Sequence, residues 1–134
     1  MKAHHGICIA AAGIAVALAQ APSEKAASIP TDGALLYATY CVDCHGKDAK
    51  GSGPMAATLS AKVPDLTRLA ARNGGVFPVA RVEGLLSAKT VAAITHGGLA
   101  MPNWGLVFSG GDPGSGTAKQ RAHNLARYLE TLQK

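Results

Sequence analysis

The sequence predicts an all-α domain of four to five unevenly sized helices joined by long loops. Three observations carry this reading. Near the C-terminus, Leu125, Tyr128, Leu129 and Leu132 fall at i, i+3, i+4 and i+7, a single apolar stripe at the helical period. Capping and stop residues recur at spacings that suit short helices. No segment shows a competing strand pattern.

The elements follow in order. Thr31 or Asp32 caps a helix whose apolar positions include Leu35, Leu36, Tyr40 and Val42, and His45-Gly46 closes it. Residues 46 to 64, rich in Gly, Lys, Ala and Pro, read as an irregular loop. Pro64-Asp65-Leu66-Thr67 opens a short helix that Asn73-Gly74-Gly75 stops. Pro78 suits the first turn of another helix running through Leu86. Ser87 caps a further short helix that ends at His96-Gly97-Gly98. Residues 97 to 116 read as a long loop carrying Met101-Pro102 and Trp104. Thr117 and Gln120 have capping-box spacing and open the last helix.

Composition narrows the function classes. Of the 134 residues 48% are hydrophobic, which excludes a disordered tail, and the length argues against a large two-domain enzyme. Aromatics make up only 4%, against 16 glycines, so protein side chains alone have difficulty filling a core. The formal charge of +5 suits either a solvated basic surface or a docking face for an acidic partner. No patch of interleaved basic and aromatic residues supports nucleic-acid binding.

The chain opens with export features. Lys2 precedes an apolar run of fourteen residues, Gly6 to Ala19, which ends in the A-x-A pattern Ala17-Leu18-Ala19. We expect residues 1–19 to be a cleaved secretory signal peptide, 20–30 a flexible lead-in and 31–134 the folded domain. The run falls short of the ~20 apolar residues of a comfortable membrane span, although an uncleaved anchor is the alternative. Cys8 lies in this leader with no lipobox around it. Cys41 and Cys44 are then the cysteines of a mature chain in an exported, oxidising compartment.

Cys41-Val42-Asp43-Cys44-His45 is C-x-x-C-H, the attachment signature of c-type haem. On a helix these positions are i, i+3 and i+4 and share a face. Two thiols can then bond the two vinyl groups of one haem while the adjacent imidazole reaches the iron. Alternatives are a redox dithiol, which needs a βαβ context, a zinc site drawing on His96 and His123, or a plain disulfide. With haem bound, Met101 is the leading sixth ligand, stiffened by Pro102. Its soft thioether favours reduced iron. Met55 and His96 are the alternatives, while His123 reads as an exposed side chain.

These residues resemble the class I c-type cytochromes, small bacterial mono-haem carriers, from Gly33 to Leu132. The resemblance implies a cytochrome c fold wrapped around one covalently bound haem c. It implies a first helix, Gly33-Ala34-Leu35-Leu36-Tyr37, that crosses the last, with Gly33 and Tyr37 against Tyr128. Gly51-Ser52-Gly53-Pro54 looks like the family's turn in which a proline carbonyl accepts a hydrogen bond from the proximal histidine, here His45. Met101-Pro102-Asn103-Trp104-Gly105 is similar to its axial-Met loop, with Trp104 near a haem propionate. The Ser109–Gly116 segment is longer than a minimal member needs.

The expected function is periplasmic electron transfer without catalysis, with docking electrostatics supplied by Lys47, Lys50 and Lys62. Expected partners are a terminal oxidase, a bc1-type complex or a periplasmic dehydrogenase. The alternatives are a haem subunit of a larger dehydrogenase, and a haem enzyme or ligand sensor with a labile sixth ligand.

Overall fold

The computed structural model describes residues 29–60, 62–87, 95–96, 99–110 and 116–134; of residues 95–96 and 99–100 it describes the backbone. The expected leader, the body of the helix expected after Ser87 and most of the Ser109–Gly116 segment lie outside the described residues.

The fold is all-α. Helix α1 spans Gly33–Tyr40 and α2 spans Val42–His45. After three single-turn 3-10 segments, at Ala56–Thr58, Leu66–Arg68 and Ala71–Asn73, come α3 (Val79–Ser87), α4 (Trp104–Ser109) and α5 (Thr117–Thr131). Among the described residues the one extended pairing is antiparallel, β1 (Thr95–His96) with β2 (Leu99–Ala100). His96 therefore lies in a strand, not at the expected helix end.

Asp32 starts α1 by accepting the Leu35 amide at 2.8 Å. The helix buries Leu36 and Tyr37, while Leu35, expected on the apolar face, is 53% exposed. Cys41 forms the turn between α1 and α2, and Gly46, at φ 79°, ends α2 in a conformation that favours glycine. The one short helix expected from Pro64 to Asn73 is two 3-10 turns: Asp65 caps the first of them through the Thr67 amide, and left-handed Gly74 stops the second where the stop was expected.

Two corrections concern the segment read as a loop over 97–116. It contains α4, capped by the Asn103 side chain on the Leu106 amide at 3.2 Å and closed by left-handed Gly110. Trp104, Val107 and Phe108 give it an apolar face. The expected capping box at Thr117 is not formed. Gly116 sits at the N-cap of α5, and the Gln120 side chain donates instead to Asn124 at 2.9 Å.

Helix α5 is the axis of the core, with α1, α3 and α4 packed on it. Its predicted stripe is the buried one: Leu125 and Leu129 are buried and Tyr128 and Leu132 half-buried, joined by Ala118, Ala122 and Ala126. The α1–α5 crossing requires Gly33. A Cβ there would lie 2.1 Å from the Asn124 carbonyl oxygen. Beside it the Tyr37 and Tyr128 rings meet at 5.6 Å, the contact the resemblance implied. No described helix is long and apolar enough to cross a membrane.

Candidate functional site

Helix α2 is one turn long, so its residues share a wall. The His45 amide donates to the Cys41 carbonyl at 2.8 Å and the Gly46 amide to that of Val42 at 2.8 Å. Tyr37 holds the far end, its hydroxyl donating to the Gly46 carbonyl at 2.6 Å. Burial, reinforced by the neighbouring Cys41, pushes this phenol well above its usual range, so it stays a donor.

Cys41 and Cys44 are free thiols, Cys41 buried and Cys44 half-buried. Burial, with Cys44 beside it, pushes the Cys41 thiol up to about 12. His45 is buried, an unusual place for an imidazole without a task.

Two adjoining cavities open over this wall, of about 390 and 110 Å³. The larger alone lies in the range of sites for small organic ligands, roughly 300–1,000 Å³. Cys41, His45, Pro64 and Met101 line both. Leu86, Leu125 and Leu129 make the larger one apolar. Cys44, Pro102 and Trp104 complete the smaller. The fold thus brings Met101, 56 residues beyond His45 in sequence, to the cavity that His45 faces.

These residues fit a haem. The donor set is that of a c-type centre: two thiols, an imidazole and a thioether around an apolar space. A second sign is the Trp104 indole nitrogen. It is buried with no hydrogen-bond partner among the described residues, and a buried N–H is costly without an acceptor. A propionate would supply one, as the resemblance implies.

Pro54 and Pro64 are placed differently. Pro54 is exposed and lines neither cavity, whereas Pro64 lines both. The glycines before Pro54 allow close approach of backbone. A Cβ on Gly53 would meet the Asp43 carbonyl oxygen at 2.4 Å, and one on Gly51 that of Val63 at 2.2 Å. The loop is pressed onto α2 on one side and onto the chain entering Pro64 on the other. The local sequence marks Pro64 only as a helix opener, and nothing in it separates that role from a place on a cavity wall.

The alternative ligands fare differently. Met55 is 49% exposed and lines neither cavity. His123 is exposed and bonds Glu83 at 2.7 Å. His96 is placed by its backbone alone. Among the described residues no group of three or more His, Cys, Asp or Glu is arranged to hold a metal ion, so a zinc site gains no support there. Lys47, Lys50 and Lys62 are all exposed, Lys50 at 4.0 Å from Asp48.

Comparison with curated proteins and with solved structures found no match. A family model does match. Described as cytochrome C oxidase, cbb3-type, subunit III, it spans residues 29–113, from the residue at which the described fold begins to just beyond α4. More than half of the chain is covered, including the attachment motif and Met101, and the chain therefore belongs to this family of c-type cytochrome domains, whose work is electron transfer through covalently bound haem c.

Proposed function

We propose that the chain is an exported mono-haem carrier that passes single electrons between redox proteins, with His45 and Met101 as its axial ligands. One observation carries this reading: Met101 reaches the same apolar cavity as Cys41 and His45. Bound haem supplies a one-electron Fe(III)/Fe(II) couple. The chain does the rest. Cys41 and Cys44 hold the group through two thioethers, which prevents its loss in an open compartment. With haem bound, His45 and Met101 would both supply ligands to the iron, leaving no position for a substrate. The apolar lining disfavours the extra charge of the oxidised state and so raises the potential. Trp104 offers its indole N–H to a propionate.

Partners on this reading are redox proteins of a respiratory oxidase system, met at a basic face around Lys47, Lys50 and Lys62. Weak, salt-sensitive complexes suit such a carrier. The family's description favours a second reading, a subunit held in a larger oxidase. Co-purification with a second chain distinguishes them, since a free carrier purifies alone.

A pyridine haemochrome assay with a denaturing mass measurement tests the proposal. We expect one haem per chain, retained on denaturation. A colourless matured protein, or pigment extracted by acidified solvent, overturns it. The long-wavelength band of iron–thioether coordination in the oxidised protein tests Met101. Its absence, with rapid cyanide binding, favours a haem enzyme or sensor.

A further inference from the structure

Arg121 of α5 lines neither cavity, yet its guanidinium joins three segments. Its Nε donates to the Pro30 carbonyl at 3.0 Å, one Nη to Ile29 at 2.9 Å, and the other Nη to the carbonyl of Phe108. One turn on, the Asn124 side chain donates to the Thr31 carbonyl at 2.7 Å. The chain at 29–31, the last turn of α4 and α5 are thereby tied at one point. The planar fork of an arginine suits this, because its donors are fixed relative to one another.

The consequence runs through α4. The last carbonyls of a helix lack intrahelical partners, and Arg121 supplies a charged donor to one of them. This helix has only six residues, so fixing one end fixes the other. Phe108 stacks on Trp104 with ring centroids 5.5 Å apart, and Tyr40 meets both rings edge-on at 5.8 and 6.0 Å. Trp104, at the opposite end of α4, lines the smaller cavity together with Met101 and Pro102.

We propose that Arg121 is a positioning residue: by clamping the end of α4 it holds Trp104 and the Met101 segment against the cavity, and so keeps the sixth-ligand side closed. This rests on the reading of Met101 as a ligand. The test uses matured holoprotein, with Arg121→Gln and Arg121→Lys beside wild type, the latter in enough urea to match the variants' global stability. Exogenous imidazole is the probe of the sixth position, and amide exchange at residues 104–110 reports α4 directly.

We expect Arg121→Gln to keep its covalent haem, bind imidazole about tenfold faster at matched stability, and exchange faster over 104–110 but not over α1; a charged hydrogen bond is worth about that ratio. Arg121→Lys, with one ammonium for three carbonyls, falls between, and carries the test if the Gln variant does not mature. Equal imidazole rates at matched stability, with equal exchange in α4, overturn the proposal and leave Arg121 a general stabiliser. If wild type itself binds imidazole as fast as Met101→Ala, the ligand reading fails. The exchange result then decides alone: faster exchange at α4 upholds the clamp, and unchanged exchange removes it.

Discussion

The two walls of the cavity are built differently. The Cys41–His45 wall is a single helical turn ended by Gly46, and its own chain braces it within about a dozen residues: the Gly51, Gly53 and Met55 amides donate to the carbonyls of His45, Cys44 and Asp43. The wall that carries Met101 and Trp104 has no such local frame. It leaves a two-residue strand pair, passes through Pro102 and enters a short α4 held from outside by Tyr40 and Arg121. A wall closed within its own sequence keeps its shape as long as that turn survives. A wall held by distant residues opens whenever any of them yields, so we expect the Met101 side to have the lower local stability.

The largest expected effect follows from the self-contained wall. His45→Ala removes the residue around which attachment is organised, and we expect essentially no covalent pigment in a haemochrome assay of the exported protein. Normal maturation of this variant would show that the turn is not the organising half.

Next comes the frame that serves both walls. Gly33→Val puts a branched side chain where a Cβ already meets the Asn124 carbonyl oxygen at 2.1 Å. Relief needs α1 and α5 to move apart, which costs about 3 kcal/mol or more for an overpacked contact. Thermal unfolding should fall by roughly 12–24 °C at that cost for a domain near 100 residues. A drop of a few degrees would mean the crossing yields easily.

Met101→Ala acts on one wall alone. Covalent haem should be retained, because the Cys41–His45 turn is untouched, while the sixth position opens and the potential falls. A loss of tenfold or more in the preference for reduced iron corresponds to at least about 59 mV for one electron. Voltammetry checks this, and an unchanged potential would assign the ligand elsewhere.

The same contrast decides what was legible in the sequence. Cys41, Cys44 and His45 are contiguous, so their common face follows from helical spacing. Asp32, Asp65 and Gly74 act within three residues of what they cap, and α5 is long enough for its stripe to fix its orientation. The phase of α1 was less legible: its apolar residues occur all round a short helix, and the buried pair proved to be Leu36 and Tyr37, with Leu35 outside. The signals for α4, Asn103 and Gly110, were present but were absorbed into a glycine-rich loop. Pro64 and Arg121 left no local trace, because each matters through what the fold brings to it. The Arg121 side chain reaches Pro30 across 91 positions of sequence.

The smallest effect tests how self-contained even the first wall is. Ala49 has a φ of 59°, the left-handed region, and is fully buried. Its amide donates to Gly46 at 3.2 Å, and its carbonyl accepts the Leu66 amide at 2.8 Å. The conformation is thus held between the end of α2 and the chain after Pro64. A left-handed L-residue costs roughly 1–2 kcal/mol, and a glycine would relieve it. The glycine would also give up a buried methyl, about 0.8 kcal/mol, and add entropy to the unfolded chain, about 0.4–1 kcal/mol. These terms nearly cancel, so Ala49→Gly should change the stability measured by urea unfolding by less than about 0.8 kcal/mol in either direction. Ala49→Val should cost about 2 kcal/mol or more, since a β-branched residue tolerates this φ worst and the site has no room. If valine proved neutral, the turn would be free to relax at Ala49 and the Leu66 bond would not be fixing it.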